Sequence, residues 1–223
     1  MNFYRNGELP DSHPTIFIYG DGGTGKTSLF KQFPGEKKLL ISFDLSTDVL
    51  KGVKGMDVAT IEDSDVPFIQ QVVDKWISDQ TFKHYDTVAL DNVSALQNYV
   101  LENIDGRSKD GRQNYQKLQL WFRELGAKLR RSGVNVYATA HQVDKGPDFI
   151  KGRYEADLNA KTFNAFTSMF DLVGRIYLKD GQRIIDLDPE NGNHAKNRLD
   201  DRKLIKADEL FKTNSDENEE ENE

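Results

Sequence analysis

Gly20-Asp21-Gly22-Gly23-Thr24-Gly25-Lys26-Thr27 decides how the rest of the chain reads. The eight residues fit G-x-x-x-x-G-K-[ST], the phosphate-binding loop pattern. An apolar run, Ile16-Phe17-Ile18-Tyr19, precedes them and predicts a buried strand over 15–19. Ser28-Leu29-Phe30-Lys31 follows and predicts a helix running to about Phe33, where Pro34-Gly35 stops it. Strand, glycine loop and helix in that order are the setting the pattern requires. Glycines let the backbone approach a polyphosphate and turn its N–H groups inward, and the start of the helix adds partial positive charge. Gly20, Asp21, Gly22, Gly23, Thr24, Gly25, Lys26, Thr27 and Ser28 are therefore the candidate nucleotide-binding residues. Lys26 is expected to reach the β- and γ-phosphates of ATP, and the Thr27 hydroxyl to ligate Mg²⁺.

Further strands read outward from that loop. Lys38-Leu39-Leu40-Ile41-Ser42-Phe43 ends at Asp44, and Asp57-Val58-Ala59-Thr60-Ile61 follows. Thr87-Val88-Ala89-Leu90 ends in Asp91-Asn92, and residues 134–140 end in His141-Gln142. Between them lie helical stripes. One carries Ile69, Val72, Val73, Trp76 and Ile77 after Pro67; a second carries Val93, Leu96, Val100 and Ile104. A third carries Leu118, Trp121, Phe122, Leu125 and Leu129, capped by Gly133. Residues 143–160 read as irregular, 161–168 as a short helix, and 170–178 with 182–187 as a hairpin turning at Asp180-Gly181. Short apolar strands alternating with helices predict an α/β fold with a mostly parallel sheet, helices on both faces and a C-terminal β-hairpin. The organisation expected is an arm over 1–14, with Phe3 and Tyr4 packing on their own domain, then a nucleotide-binding domain over 15–200. A short amphipathic helix over 201–212 and a disordered acidic tail over 213–223 complete it.

Ligands of parallel sheets sit beyond the carboxyl ends of the strands, so Asp44, Asp91, His141 and Gln142 should converge on the phosphates. Asp91 is the natural partner of Thr27 on Mg²⁺, although Asp91 or Asn92 would also serve as the cap of the next helix. Asp44, with Asp48 behind it, is the nearest candidate to orient or deprotonate an attacking water. Gln142 and His141 are candidates to sense the γ-phosphate; a histidine packed at a strand end is the plainer reading of His141. The four histidines form no pair at metal-ligand spacing, so zinc is not expected.

The 223 residues hold no cysteine, which removes disulfides and thiolate chemistry and suits a reducing cytoplasm. No apolar run is long enough to span a bilayer, and no signal-peptide core opens the chain. Net charge is −7, but the last eight residues hold six acids and no base, leaving the body near −1. An acidic total therefore does not argue against a nucleic-acid partner. No N-K-x-D run reads guanine, and no L-S-G-G-Q signature of ABC ATPases is present.

The order of these parts, with a basic loop and long helix before Tyr137-Ala138-Thr139-Ala140-His141-Gln142, resembles the core of the RecA family over roughly residues 14–200. It is most similar to short phage-encoded members, the Sak-four group of single-strand annealing proteins and allied phage nucleotide-binding proteins. The resemblance implies a RecA-like ATPase that binds single-stranded DNA and assembles as a homo-oligomer in the host cytoplasm, working with a single-strand DNA-binding protein. It places DNA on two loops: 105–113, with Arg107, Lys109 and Arg112, and 143–161, with Lys145, Lys151 and Arg153. It also implies a cation given to the next subunit's site, for which Lys196 and Arg198 are candidates. Leu45-Ser46 stands where many recombinases carry a glutamate, so turnover is expected to be weak. A helicase or packaging motor, a non-catalytic ATP-bound adaptor and a small-molecule kinase are the alternatives. The acidic tail reads as a solubilising end or as a competitor for the basic loops.

Overall fold

A computed structural model describes residues 3–6, 8–9, 13–78, 81–104, 106–149 and 152–211. The expectations for Lys151 and for the acidic tail lie outside the described residues. The chain runs β1 (Thr15–Gly20), α1 (Lys26–Leu29), β2 (Lys38–Ser42), β3 (Met56–Thr60), α2 (Ile69–Ser78), β4 (Thr87–Asp91) and α3 (Val93–Glu102). It continues through α4 (Gly111–Arg130), β5 (Asn135–Asp144), β6 (Tyr154–Ala156), α5 (Ala160–Thr167), β7 (Leu172–Lys179), β8 (Gln182–Asp186), β9 (Lys196–Asn197) and β10 (Leu204–Lys206).

The strands form one sheet in the order β10-β8-β7-β1-β5-β4-β2-β3, with β6 paired to β5 and β9 to β7. From β7 to β3 every pair is parallel; β8, β10, β6 and β9 join antiparallel. This is the expected α/β class, a mostly parallel sheet with helices on both faces and an antiparallel hairpin of β7 and β8. The central strands are apolar on both faces because both faces are covered. In β1, Phe17 and Tyr19 pack with α2 to α5, whereas Ile16 and Ile18 pack on the other side with Leu29, Phe30 and Leu210. In β5, Val136, Ala138 and Ala140 share the first face and Tyr137 the second. Gly126 lets α4 and α5 approach closely: a Cβ there would lie 2.6 Å from the carbonyl oxygen of Phe166. No helix among the described residues is long and apolar enough to cross a membrane.

Several local expectations change. The helix after the glycine loop is a single α-turn that tightens into a 3₁₀ turn at Phe30–Gln32 and ends with Phe33 extended. Residues 143–160 are not wholly irregular: β5 runs to Asp144 and folds back as β6. The expected helix over 201–212 is instead β10 and a 3₁₀ turn. The outer edge of β8 offers unpaired backbone groups, and Leu204–Lys206 satisfies them while Ile205 is buried opposite Ile185. Arg202 fixes this segment through Asp200 and the carbonyls of Glu209 and Leu210. Lys196–Asn197 adds a short strand against β7. Phe3 is 81% exposed rather than packed. The Asp180-Gly181 turn is as read, with both residues at positive φ.

Candidate functional site

The carboxyl ends of β1, β2, β4 and β5 lie side by side, because parallel register aligns Gly20 with His141 and Ser42 with Asp91. The residues just beyond them surround a cavity of about 340 Å³. Gly22, Gly23, Gly25, Lys26, Thr27 and Ser28 form one wall; Asp44, Ser46, Asp91, Asn92, His141 and Arg183 are among those that close it.

The loop is shaped by backbone that other residues rarely adopt. Gly23 and Gly25 have φ of 76° and 94°. Lys26 is buried, and its Nζ donates to the carbonyls of Gly20 and Asp21, each at 2.8 Å. Burial draws the Lys26 ammonium below its ordinary value, while Asp91, Asp21 and Asp44 work against that shift. Thr27 Oγ1 donates to Asp91 Oδ2 at 2.8 Å, joining two residues 64 positions apart. Thr139 donates to the other Asp91 oxygen, and Tyr137 Oη donates to the Lys26 carbonyl at 2.8 Å.

Asp91 is 3% exposed. Burial raises its carboxyl above the ordinary range, and the Asp44 charge adds to the rise. The hydroxyls of Thr139 and Thr27, and the Lys26 charge, favour the ionised form. A hydroxyl and a carboxylate at 2.8 Å, in a field that includes a lysine, suit Mg²⁺ held by two protein oxygens with phosphates and water completing its shell.

The ambiguity between Asp91 and Asn92 resolves into a division of labour. Asp91 faces Thr27, whereas Asn92 Oδ1 caps α3 by accepting from the Ser94 N–H at 3.1 Å. Asn92 Nδ2 donates to Asp44 Oδ2 at 2.9 Å, and Asp44 Oδ1 accepts from the Ser46 N–H at 3.1 Å. Asp44 thus reaches the cavity with both oxygens already engaged. His141 lines the cavity and is exposed; its N–H donates to Ser94 Oγ. Gln142 is held at the loop's outer side: its Nε2 donates to Asp21 Oδ2 at 2.7 Å, and its Oε1 accepts from Arg175 Nε at 2.9 Å. The Arg175 guanidinium lies 3.4 Å from the Tyr154 ring centroid, so a polar path runs from the glycine loop to β6.

The structure does not bring the cationic candidates together. Arg107, Lys109 and Arg112 are exposed at the start of α4, and Arg107 donates to the Glu102 carbonyl. Lys145 pairs with Glu155, and Arg153 makes two 2.8 Å bonds to Asp144. Lys196 and Arg198 lie toward the amino end of β7, where Lys196 pairs with Val173 and its Nζ donates to the Thr167 carbonyl at 2.8 Å. Neither reaches the phosphate cavity of its own chain.

Three participants escape the sequence reading. Thr139, a hydroxyl between two alanines and two positions from Tyr137, is the one that alternation could have flagged. Arg175 and Arg183 carry no signal, because only the pairing of β7 with β1 and of β8 with β7 puts them near the loop.

A model of a family described as an AAA domain matches residues 12–199. A comparison with curated proteins gives no match. Solved structures with a similar chain path include the flagellar accessory protein FlaH from Methanocaldococcus jannaschii, 14% identical over 87% of this chain and 85% of that one, with a TM-score of 0.48. Another is the KaiC-like protein PH0186 from Pyrococcus horikoshii OT3, 14% identical over 87% of this chain and 84% of that one, with a TM-score of 0.49. Both are likenesses of chain path and say nothing about ligand.

Proposed function

The chain belongs to the AAA-domain family, and on that premise we propose that it binds and slowly hydrolyses MgATP while holding single-stranded DNA for annealing in phage recombination. The observation that carries the nucleotide half is the 2.8 Å bond from Thr27 Oγ1 to Asp91 Oδ2, set beside a buried lysine on the lip of the cavity. Bound MgATP would supply the phosphate and the metal; Lys26 and the loop N–H groups would hold its phosphates, and Thr27 with Asp91 its Mg²⁺. Each Asp44 oxygen already accepts one hydrogen bond, which favours its ionised form and makes it a weaker base while leaving lone pairs for water, and this supports slow turnover.

The DNA half rests on the two cationic loops and on the path Asp21–Gln142–Arg175–Tyr154 that ties the second of them to the glycine loop. Lys196 and Arg198 would serve the phosphates of a neighbouring copy in a homo-oligomer. ATPase turnover measured without DNA, with single-stranded DNA and with duplex DNA tests the whole reading. Slow basal turnover that rises with single strands is expected. Turnover equal in all three leaves an ATPase without the DNA role, and ATP binding with no turnover in any favours the adaptor.

A further inference from the structure

The phosphate cavity has a neighbour. A cleft of about 380 Å³ opens between the β7–β8 turn and the residues after β10, with Gln32, Gln182, Lys206 and Asp208 on its walls. Arg183 lines both spaces. Its Nε donates to the Thr24 carbonyl at 3.1 Å, and a Cβ on Gly25 would lie 2.6 Å from that nitrogen. The guanidinium therefore rests against the glycine loop where the loop has no side chain to keep it away.

We infer that the two spaces are halves of one nucleotide site: the second cleft takes the nucleoside, and Arg183, between them, contacts the phosphates from within the same chain. This rests on the nucleotide reading proposed above. Each space falls within the roughly 300–1,000 Å³ of small-molecule sites. Their walls differ as the two ends of a nucleotide differ. The amides of Gln32 and Gln182 offer paired donors and acceptors, which suit a base edge, and the Asp208 carboxylate accepts from ribose hydroxyls. On the phosphate side stand Lys26 and Arg183, both resting on neutral loop carbonyls. A phosphate oxygen is a charged acceptor and binds such donors about twice as strongly, so both cations would move to it over a short distance. The 550 Å³ cavity beside Glu155 and Lys196 shares no wall with the phosphate cavity and cannot take the other end of the same ligand.

Titration calorimetry of the full chain with MgATP and with magnesium tripolyphosphate separates the halves. Gln182→Ala combined with Asp208→Ala should weaken MgATP roughly tenfold and leave tripolyphosphate at the wild-type affinity. Arg183→Ala should weaken both ligands about tenfold, the size of one lost charged hydrogen bond. All three residues are exposed, so the folded core is untouched, and an unchanged melting temperature checks this. MgATP binding unaltered in the double variant, or an equal loss of tripolyphosphate, overturns the nucleoside assignment. Unaltered tripolyphosphate binding in Arg183→Ala overturns the phosphate contact. If tripolyphosphate binds the wild type too weakly to measure while MgATP binds, the nucleoside half is supported, and the effect of Arg183→Ala on MgATP decides the other. Wild-type protein that binds neither ligand, or Lys26→Ala that binds both undiminished, defeats the nucleotide reading itself.

Discussion

The carboxyl end of the sheet and the two cationic loops satisfy their polar groups in opposite ways. At the sheet end, partners come from far along the chain: Thr27 and Thr139 meet on Asp91 across 64 and 48 residues. Asp91 and Thr139 are buried and Thr27 is half-buried, so each needs a specific partner, and only the completed fold can supply it. In the loops, cations are answered by neighbours: Arg153 by Asp144, nine residues away, and Arg107 by the Glu102 carbonyl, five away. Those pairs are exposed and contribute little to stability. One region is organised by the fold for a ligand. The other is a set of local charges that a competing polyanion can take over at small cost.

The largest test of that contrast is Asp91→Asn. The amide keeps the shape, and its oxygen can accept from one threonine hydroxyl while its NH₂ donates to the other, but it cannot hold Mg²⁺ as a carboxylate does. Mg²⁺-dependent turnover should fall on the order of a hundredfold, the scale of losing one preorganised charge at a reacting centre. Stability of the protein without nucleotide should rise, because a carboxylate that burial has pushed upward is gone. The signs follow from linkage. A folded pKa above the unfolded value means the folded state takes up the proton first, so acidification through that raised pKa favours folding while it weakens Mg²⁺ binding. Turnover within a few-fold of wild type, with an unchanged melting temperature, would erase the distinction between a strained site and an ordinary ion pair.

Asp144→Asn probes the loops. It breaks the bidentate bond that occupies Arg153, and Asp144 is the group whose carboxyl that guanidinium holds down at about 2. If the β5–β6 hairpin carries DNA, freeing one cation should tighten single-strand binding and steepen its salt dependence by about 0.7 in log–log slope. An affinity and slope equal to wild type across a salt series would place DNA elsewhere. The effect is smaller than that at Asp91 because the competing pair is solvated.

The same contrast explains what was legible beforehand. The glycine loop, the strand ending at Asp91 and the order of elements were readable because each is a local pattern with one physical meaning: φ > 0 glycines before Lys26, apolar runs buried on both faces, and a carboxylate at a strand's end. Asn92 was readable as the cap of α3, which is a local role, whereas Thr139 was readable as a residue type but not in its role, since that depends on which strand lies next to which. Arg183 and Arg175 were not readable at all. Their strands reach the loop only through the pairing of β7 with β1 and of β8 with β7. The failed helix over 201–212 has the same cause: Leu204–Lys206 is drawn into a strand by an open sheet edge that its own sequence does not announce.

Lys196 gives the smallest effect and a case between the two regions. It is buried enough to be drawn down to about 8, mainly by loss of water and then by Arg198 nearby, yet its Nζ has a carbonyl partner at Thr167. That partner is neutral, so the charge is a cost to the isolated chain. The unfolded chain keeps that proton to the ordinary value of 10.5, so between about 8 and 10.5 the unfolded state binds more protons and stability rises with pH. Lys196→Met should remove this rise, which denaturant melts across that window would register as a flatter profile than wild type. If Lys196 serves a neighbouring copy's phosphates, assembly with MgATP gives the ammonium an anionic partner and should abolish the same rise in wild type. A rise that persists in the assembled, nucleotide-bound state would mean the charge stays without such a partner, and the cation for the phosphates would have to come from Arg183 within the same chain.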